Sequence, residues 1–161
     1  MGVVQLKRDG LITGFDQPLS DLDADFPHGE EITIRHLLSH QSGVPDYLPF
    51  VETKAKSDLS DTDLDFEPGS SMAYSNTNFL IAALLIEELS GETYEDYIKA
   101  NVLTPLDMTD TEMGTDEISG EQYAQGYNGN ANVSAYPIEI TLGAGCWTST
   151  VGDLEKWCKA A

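Results

Sequence analysis

Phe79 to Leu89, "FLIAALLIEEL", is the most continuous apolar stretch in the chain, and its hydrophobic residues are not confined to one helical stripe. A helix that is apolar on most sides is enclosed by protein, not laid on a surface. Asn76 or Thr77 stands ahead of it as a candidate N-cap and Gly91 follows as a stop, so the pattern predicts a central buried helix between them. Shorter periodic segments surround it. Met1 to Leu11 reads as the end of a helix, with Val3, Val4 and Leu6 apolar, Lys7 and Arg8 suited to a C-terminus and Gly10 as the stop. Thr33 caps a short helix from Ile34 to His40, closed by Ser42 and Gly43. Thr93 to Asp96 is a capping-box variant opening a helix from Tyr94 to about Val102, which Pro105 ends, and Ser149 or Thr150 caps a last helix through Trp157.

The remaining segments carry turn chemistry. "FDQPLSDLDADFPHG" reads as an extended loop, and the proline- and acid-rich stretch from Val44 to Ser71 as a loosely ordered or short-helical excursion. Met108 to Leu142 is rich in Gly, Asn and Thr, with one strand candidate from Tyr136 to Leu142. The expected fold is mainly α, with long loops and at most a minor β-hairpin. There is no internal repeat, and 161 residues at 40% hydrophobic composition suit a single domain with a real core.

Charge narrows the partners. Eight Lys plus Arg against 28 Asp plus Glu give a net charge of −20, which repels phosphate backbones and anionic lipid surfaces alike, so neither nucleic acid nor membrane is an expected partner. Asp58, Asp61, Asp63, Asp65 and Glu67 form a local acidic cluster, read as a solvated surface. Asp61-x-Asp63-x-Asp65 invites calcium, but a calcium loop needs Gly at its sixth position and Glu at its twelfth, where this chain has Phe66 and Met72. His36 and His40 have the spacing of neighbours on one helix face, yet no Glu follows His36 and no third ligand stands out, so both are read as structural and no metal or cofactor is expected. Cys146 and Cys158 form no redox motif, and a single disulfide between them is neither required nor excluded. No charged start leads into an apolar leader core and no apolar run approaches a membrane span, so no compartment is read.

"ITIRHLLSHQSGVPDY" (Ile32 to Tyr47), "FEPGSSMAYSNTNF" (Phe66 to Phe79), "SGETYEDYIKANVLTPLDMTDT" (Ser90 to Thr111) and "GAGCWTSTVGDLEKW" (Gly143 to Trp157) resemble successive blocks of the serine beta-lactamase and penicillin-binding-protein-like superfamily. The branch they are most similar to holds class C beta-lactamases, related esterases and D-alanyl-D-alanine carboxypeptidases or aminopeptidases. The resemblance implies acyl transfer through a Ser-x-x-Lys, a Tyr-x-Asn and a late Lys- or His-containing triplet ending in Gly. Tyr74-Ser75-Asn76 matches the second. In that role the Tyr74 phenol moves a proton to or from the serine and leaving group, and the Asn76 amide binds the substrate carbonyl. An ordinary phenol ionises near pH ~10, so a tyrosine acting as base needs adjacent cations.

Those partners are not in the sequence. Three positions before the six lysines stand Val4, Val51, Thr53, Asp96, Asp153 and Lys156, and Thr53-Lys-Ala-Lys56 is the nearest approach to Ser-x-x-Lys. The late triplet and a Gly-x-Ser-x-Gly elbow are missing as well. The resemblance therefore implies one helical-lobe domain, residues 1–161, truncated at both ends relative to the family, with Tyr74 and Asn76 as its catalytic candidates and no activity alone. A small acyl substrate is expected only once missing segments complete the site. The alternative is a self-associating binding module, in which a second copy or a partner fragment covers the exposed apolar face and the acidic surface attracts cations.

Overall fold

The computed structural model describes residues 1–47, 52, 57–60, 63–114, 124–133 and 141–160. In chain order its helices are α1 (Gly2–Arg8), a 3-10 turn at Leu19–Asp21, α2 (Ile34–Leu38), α3 (Ser57–Ser60), α4 (Asn76–Ser90), α5 (Tyr94–Ile98) and α6 (Val151–Ala160). Among the described residues four short strands, β1 (Glu112–Met113), β2 (Gly126–Asn128), β3 (Ala131–Val133) and β4 (Trp147–Thr148), form two antiparallel pairs. β2 and β3 make the minor hairpin, while β1 and β4 join distant segments with Glu112 opposite Thr148.

The centre is α4, and its composition explains why. Leu80, Ile81, Ala82, Ala83, Leu85 and Ile86 are all buried, so the helix is enclosed on most sides, with α1, α2 and α5 packed around it. Leu6 from α1, Leu37 from α2 and Val102 beyond α5 complete the same core, with Leu19 and Ile32 contributed by the loop between α1 and α2. Each such side chain removed from water contributes about 1.5–3 kcal/mol. Gly91 ends α4 in the left-handed conformation, φ 73°, and its N–H closes onto the Glu87 carbonyl.

Local signals decide the other helix ends. Thr33 Oγ1 accepts from the His36 N–H while His36 Nδ1 accepts from the Thr33 N–H, a reciprocal cap at the start of α2. Thr93 Oγ1 accepts from the Asp96 N–H and donates to Asp96 Oδ2, opening α5. The helix expected to run on to Val102 changes character after Ile98: Lys99–Leu103 is a π turn, in which Asn101 Nδ2 donates to the Tyr97 carbonyl and the Thr104 N–H reaches back five residues to Lys99. Thr150 Oγ1 accepts from the Asp153 N–H at the start of α6. That helix is anchored by Asp153, only 1% exposed, whose carboxylate accepts from the Asp110 N–H, the Thr111 hydroxyl and the Lys156 ammonium. Of the strand expected at Tyr136 to Leu142, residues 136–140 lie outside the described residues, and Leu142 sits buried in a turn.

Candidate functional site

The segment from His40 to Tyr47 folds against the first turn of α4 and makes the site. Gly43 turns the chain at φ 78°, so close to the neighbouring segment that a Cβ there would stand 2.1 Å from the Phe66 carbonyl oxygen. Beyond this turn three consecutive helix residues are each tied to the loop. The Ser42 hydroxyl donates to Asn78 Oδ1 at 2.6 Å, the Tyr47 N–H donates to Thr77 Oγ1 at 2.9 Å, and the Asn76 N–H donates to Asp46 Oδ1 at 3.0 Å. The Asn76 side chain completes the set, Nδ2 donating to Asp46 Oδ2 at 3.1 Å.

These bonds correct the expected cap of α4. Neither Asn76 nor Thr77 is the N-cap; Ser75 occupies that position with extended backbone, and its side chain makes no capping bond. Asp46, 30 residues earlier, supplies the acceptor instead. A carboxylate at a helix N-terminus is favoured by the helix dipole as well as by the hydrogen bond. The Ser75 hydroxyl and Asn78 Nδ2 are buried with no hydrogen-bond partner among the described residues.

Tyr74 precedes this turn and projects outward, 68% exposed. Its hydroxyl donates to Asn76 Oδ1 at 2.9 Å, so the two residues singled out by the family motif are in direct contact. The ring rests on His40, with centroids 4.7 Å apart, and His40 in turn lies 5.2 Å from Phe79. His40 adopts φ 57°, beyond the end of α2, and its Nδ1 accepts from the Ser75 N–H at 3.3 Å. His36 and His40 therefore do not share a helix face. Each serves a separate backbone hydrogen bond, consistent with their reading as structural.

No cation contacts this pair among the hydrogen bonds and ion pairs of the described residues. Arg35 is held by Asp16, Lys99 by Glu95, Lys159 by Glu155 and Lys156 by Asp153 and Asp107, while Lys7 lies over the Phe15 ring. The near miss Thr53-Lys-Ala-Lys56 lies outside the described residues, as does Asp61 of the calcium-like triplet. Cys146 is buried, Cys158 is exposed, and both thiols are free. Sequence reasoning missed Asp46 as a partner of the site, although "HQSGVPDY" falls within a family block; nothing local in that string says that its aspartate reaches Asn76.

A buried central helix with an exposed tyrosine and a half-buried asparagine at its mouth, backed by a His-x-Ser-Gly loop, defines the mainly helical part of a beta-lactamase-like fold. Solved structures carry the same arrangement of the chain. The D-stereospecific amidohydrolase from Streptomyces sp. superposes with a TM-score of 0.82 at 28% identity, over 99% of this chain and 56% of that one. The D-amino acid amidase from Ochrobactrum anthropi SV3 does so with a TM-score of 0.81 at 30% identity, over 99% and 51%. Penicillin-binding protein 4* of Bacillus subtilis (strain 168) is 30% identical over 158 residues, 88% of this chain and 35% of its own length. The chain thus spans about half of those solved structures and about a third of that curated relative. The model of the Beta-lactamase family matches residues 2–161, and the chain belongs to that family.

Proposed function

We propose that this chain supplies the Tyr-x-Asn wall of an acyl-transfer site in a beta-lactamase-like serine hydrolase, with substrates of the D-amino-acid amide or peptide, beta-lactam or ester class. The observation that carries the reading is the direct bond from the Tyr74 hydroxyl to Asn76 Oδ1 at the open mouth of α4. Two similar proteins are a D-stereospecific amidohydrolase and a D-amino acid amidase, which supports D-configured amides as the first substrates to try. In that role Tyr74 moves a proton between an attacking hydroxyl and the leaving group, and Asn76 donates to the substrate carbonyl.

On its own the chain is inactive in this reading. No Ser-x-x-Lys stands in its 161 residues, and an alcohol without an adjacent base is a poor nucleophile. Losing the nucleophile leaves only residual transition-state binding, a loss of about six orders of magnitude in a serine hydrolase measured that way. Incubating the chain with nitrocefin, a p-nitrophenyl ester and D-alanine p-nitroanilide tests this, and hydrolysis about six orders of magnitude below an ordinary serine hydrolase, or slower, is the expected result. Turnover at ordinary enzyme rates that disappears in Tyr74→Phe refutes it. The self-associating alternative draws on an apolar groove lined by Met1, Val4, Leu38 and Phe79. Nothing on the groove says what covers it, so the hydrolase reading is preferred.

A further inference from the structure

A carboxylate oxygen accepts hydrogen bonds and cannot donate them, whereas an amide nitrogen only donates. That asymmetry makes the contact between Asp46 and Asn76 directional. Asp46 receives the Asn76 backbone N–H on Oδ1 and the side-chain Nδ2 on Oδ2, at 3.0 and 3.1 Å. The Asn76 carboxamide then has its nitrogen turned to Asp46 and its oxygen turned to the Tyr74 hydroxyl at 2.9 Å. The reversed amide would bring its oxygen against a carboxylate oxygen, two acceptors at contact distance, and would leave the phenol facing an NH2 group.

We propose that Asp46 is a positioning residue for the Tyr-x-Asn pair, fixing the Asn76 carboxamide so that its oxygen faces Tyr74 while one Nδ2 hydrogen and one Oδ1 lone pair remain open to a ligand. The inference rests on the reading of Tyr74 and Asn76 as an acyl-transfer wall. Asp46 can do this because its own backbone is held. Ser42 is buried and bonded to Asn78, the Val44 N–H donates to Ser42 Oγ, and the Tyr47 N–H donates to Thr77, so bonds on both sides of Asp46 clamp the loop to α4. The charge strengthens the bond, since hydrogen bonds to an ionised group are roughly twice as strong as neutral ones. It also polarises the amide whose second N–H is left for a carbonyl. Tyr74 is exposed and Asn76 half-buried, and without the carboxylate a half-turn about the Asn76 Cβ–Cγ bond would present either end of the amide.

Side-chain amide NMR of the labelled 161-residue chain tests the assignment. In the unmodified protein the Asn76 Nδ2 protons are expected to show stronger cross-relaxation to the Asp46 Hβ protons than to the Tyr74 ring, with the two proton signals widely separated. In Asp46→Ala that separation is expected to collapse toward that of the exposed Asn128 amide, while the Asn78 side-chain pair, held by Ser42, keeps its positions and reports an intact fold. A carboxylate that merely caps the helix would move the Asn76 backbone N–H signal and leave the side-chain pair in place, and that outcome overturns the proposal. Should Asp46→Ala not fold, the cross-relaxation pattern of the unmodified protein decides alone: Nδ2 protons closer to the Tyr74 ring than to the Asp46 Hβ protons overturn it. Hydrolysis by the isolated chain would refute the proposed function without touching the amide placement, and a rotated amide would refute the placement without touching family membership.

Discussion

Replacing Gly43 with alanine puts a methyl group where the structure has no room and a side chain where the backbone disfavours one. The residue sits at φ 78°, and the added Cβ would stand 2.1 Å from the Phe66 carbonyl oxygen and 3.3 Å from Leu64 Cβ. The left-handed conformation costs an L-residue about 1–2 kcal/mol. Forcing a methyl into a filled space costs about 1–3 kcal/mol more, because backbone and side chains must shift to admit it. The backbone that must yield is the one whose Asp65 N–H donates to the Gly43 carbonyl, so the shift is expensive and the sum is roughly 3 kcal/mol. Gly91 provides the control: its φ of 73° is nearly the same, but no heavy atom lies within 4 Å of the place a Cβ would take, so Gly91→Ala carries only the backbone cost of about 1–2 kcal/mol. Denaturant and thermal unfolding followed by far-UV circular dichroism read both, with a fall in Tm of roughly 10 °C for Gly43→Ala and about 3–6 °C for Gly91→Ala. Equal losses at the two positions would refute the claim that the His40 to Tyr47 loop is pressed against the segment around Phe66. The same clash displaces Ser42 and Asp46 together, so loosening of the Tyr74–Asn76 pair should accompany the lost stability.

Two further expectations follow from the polar groups at the ends of α4 and α6. Ser75→Ala removes a buried hydroxyl that has no partner among the described residues and makes no capping bond, so it should be neutral or stabilise by up to about 1 kcal/mol, against the loss usual for an N-cap serine; a loss beyond about 1 kcal/mol in urea unfolding would show that the hydroxyl is engaged. Asp153 is held below its ordinary value of 3.8 chiefly by the hydrogen bond from Lys156, with Thr111 and the Asp110 N–H assisting. A depressed carboxylate contributes stability that is fully present above its unfolded value and is lost as pH falls through the lower folded value. Amide-exchange protection of α6 should therefore drop as the solution is acidified below about pH 4, and Asp153→Asn should flatten that dependence; an unchanged profile in the variant would exclude Asp153 as the anchor.

Helices announced by neighbours in the chain are legible in the sequence alone. The caps at Thr33 and Thr93, the stop at Gly91 and the burial of Leu80 to Ile86 all depend on groups within four residues of one another or on the composition of one segment, and each stands as the pattern predicts. Where a distant group could compete, local reading failed. Asn76 looked like a cap because its side chain is the right type in the right place, but Asp46 took the exposed N–H and the Asn76 amide as well. The π turn at Lys99–Leu103 likewise has no signal in a window whose residues all tolerate an α-helix; within it the Asn101 side chain bonds the Tyr97 carbonyl.

Tyr74 and Asn76 could be named from a three-residue string because the family resemblance spans the blocks around them. What that string could not hold was the direction of an amide. The order of residues settled where the central helix lies, that it is enclosed, and that a phenol and a carboxamide stand at its entrance. Which end of the carboxamide meets the phenol was decided in space, because an acceptor-only carboxylate 30 residues away comes within 3.1 Å of its nitrogen only after the loop has folded back.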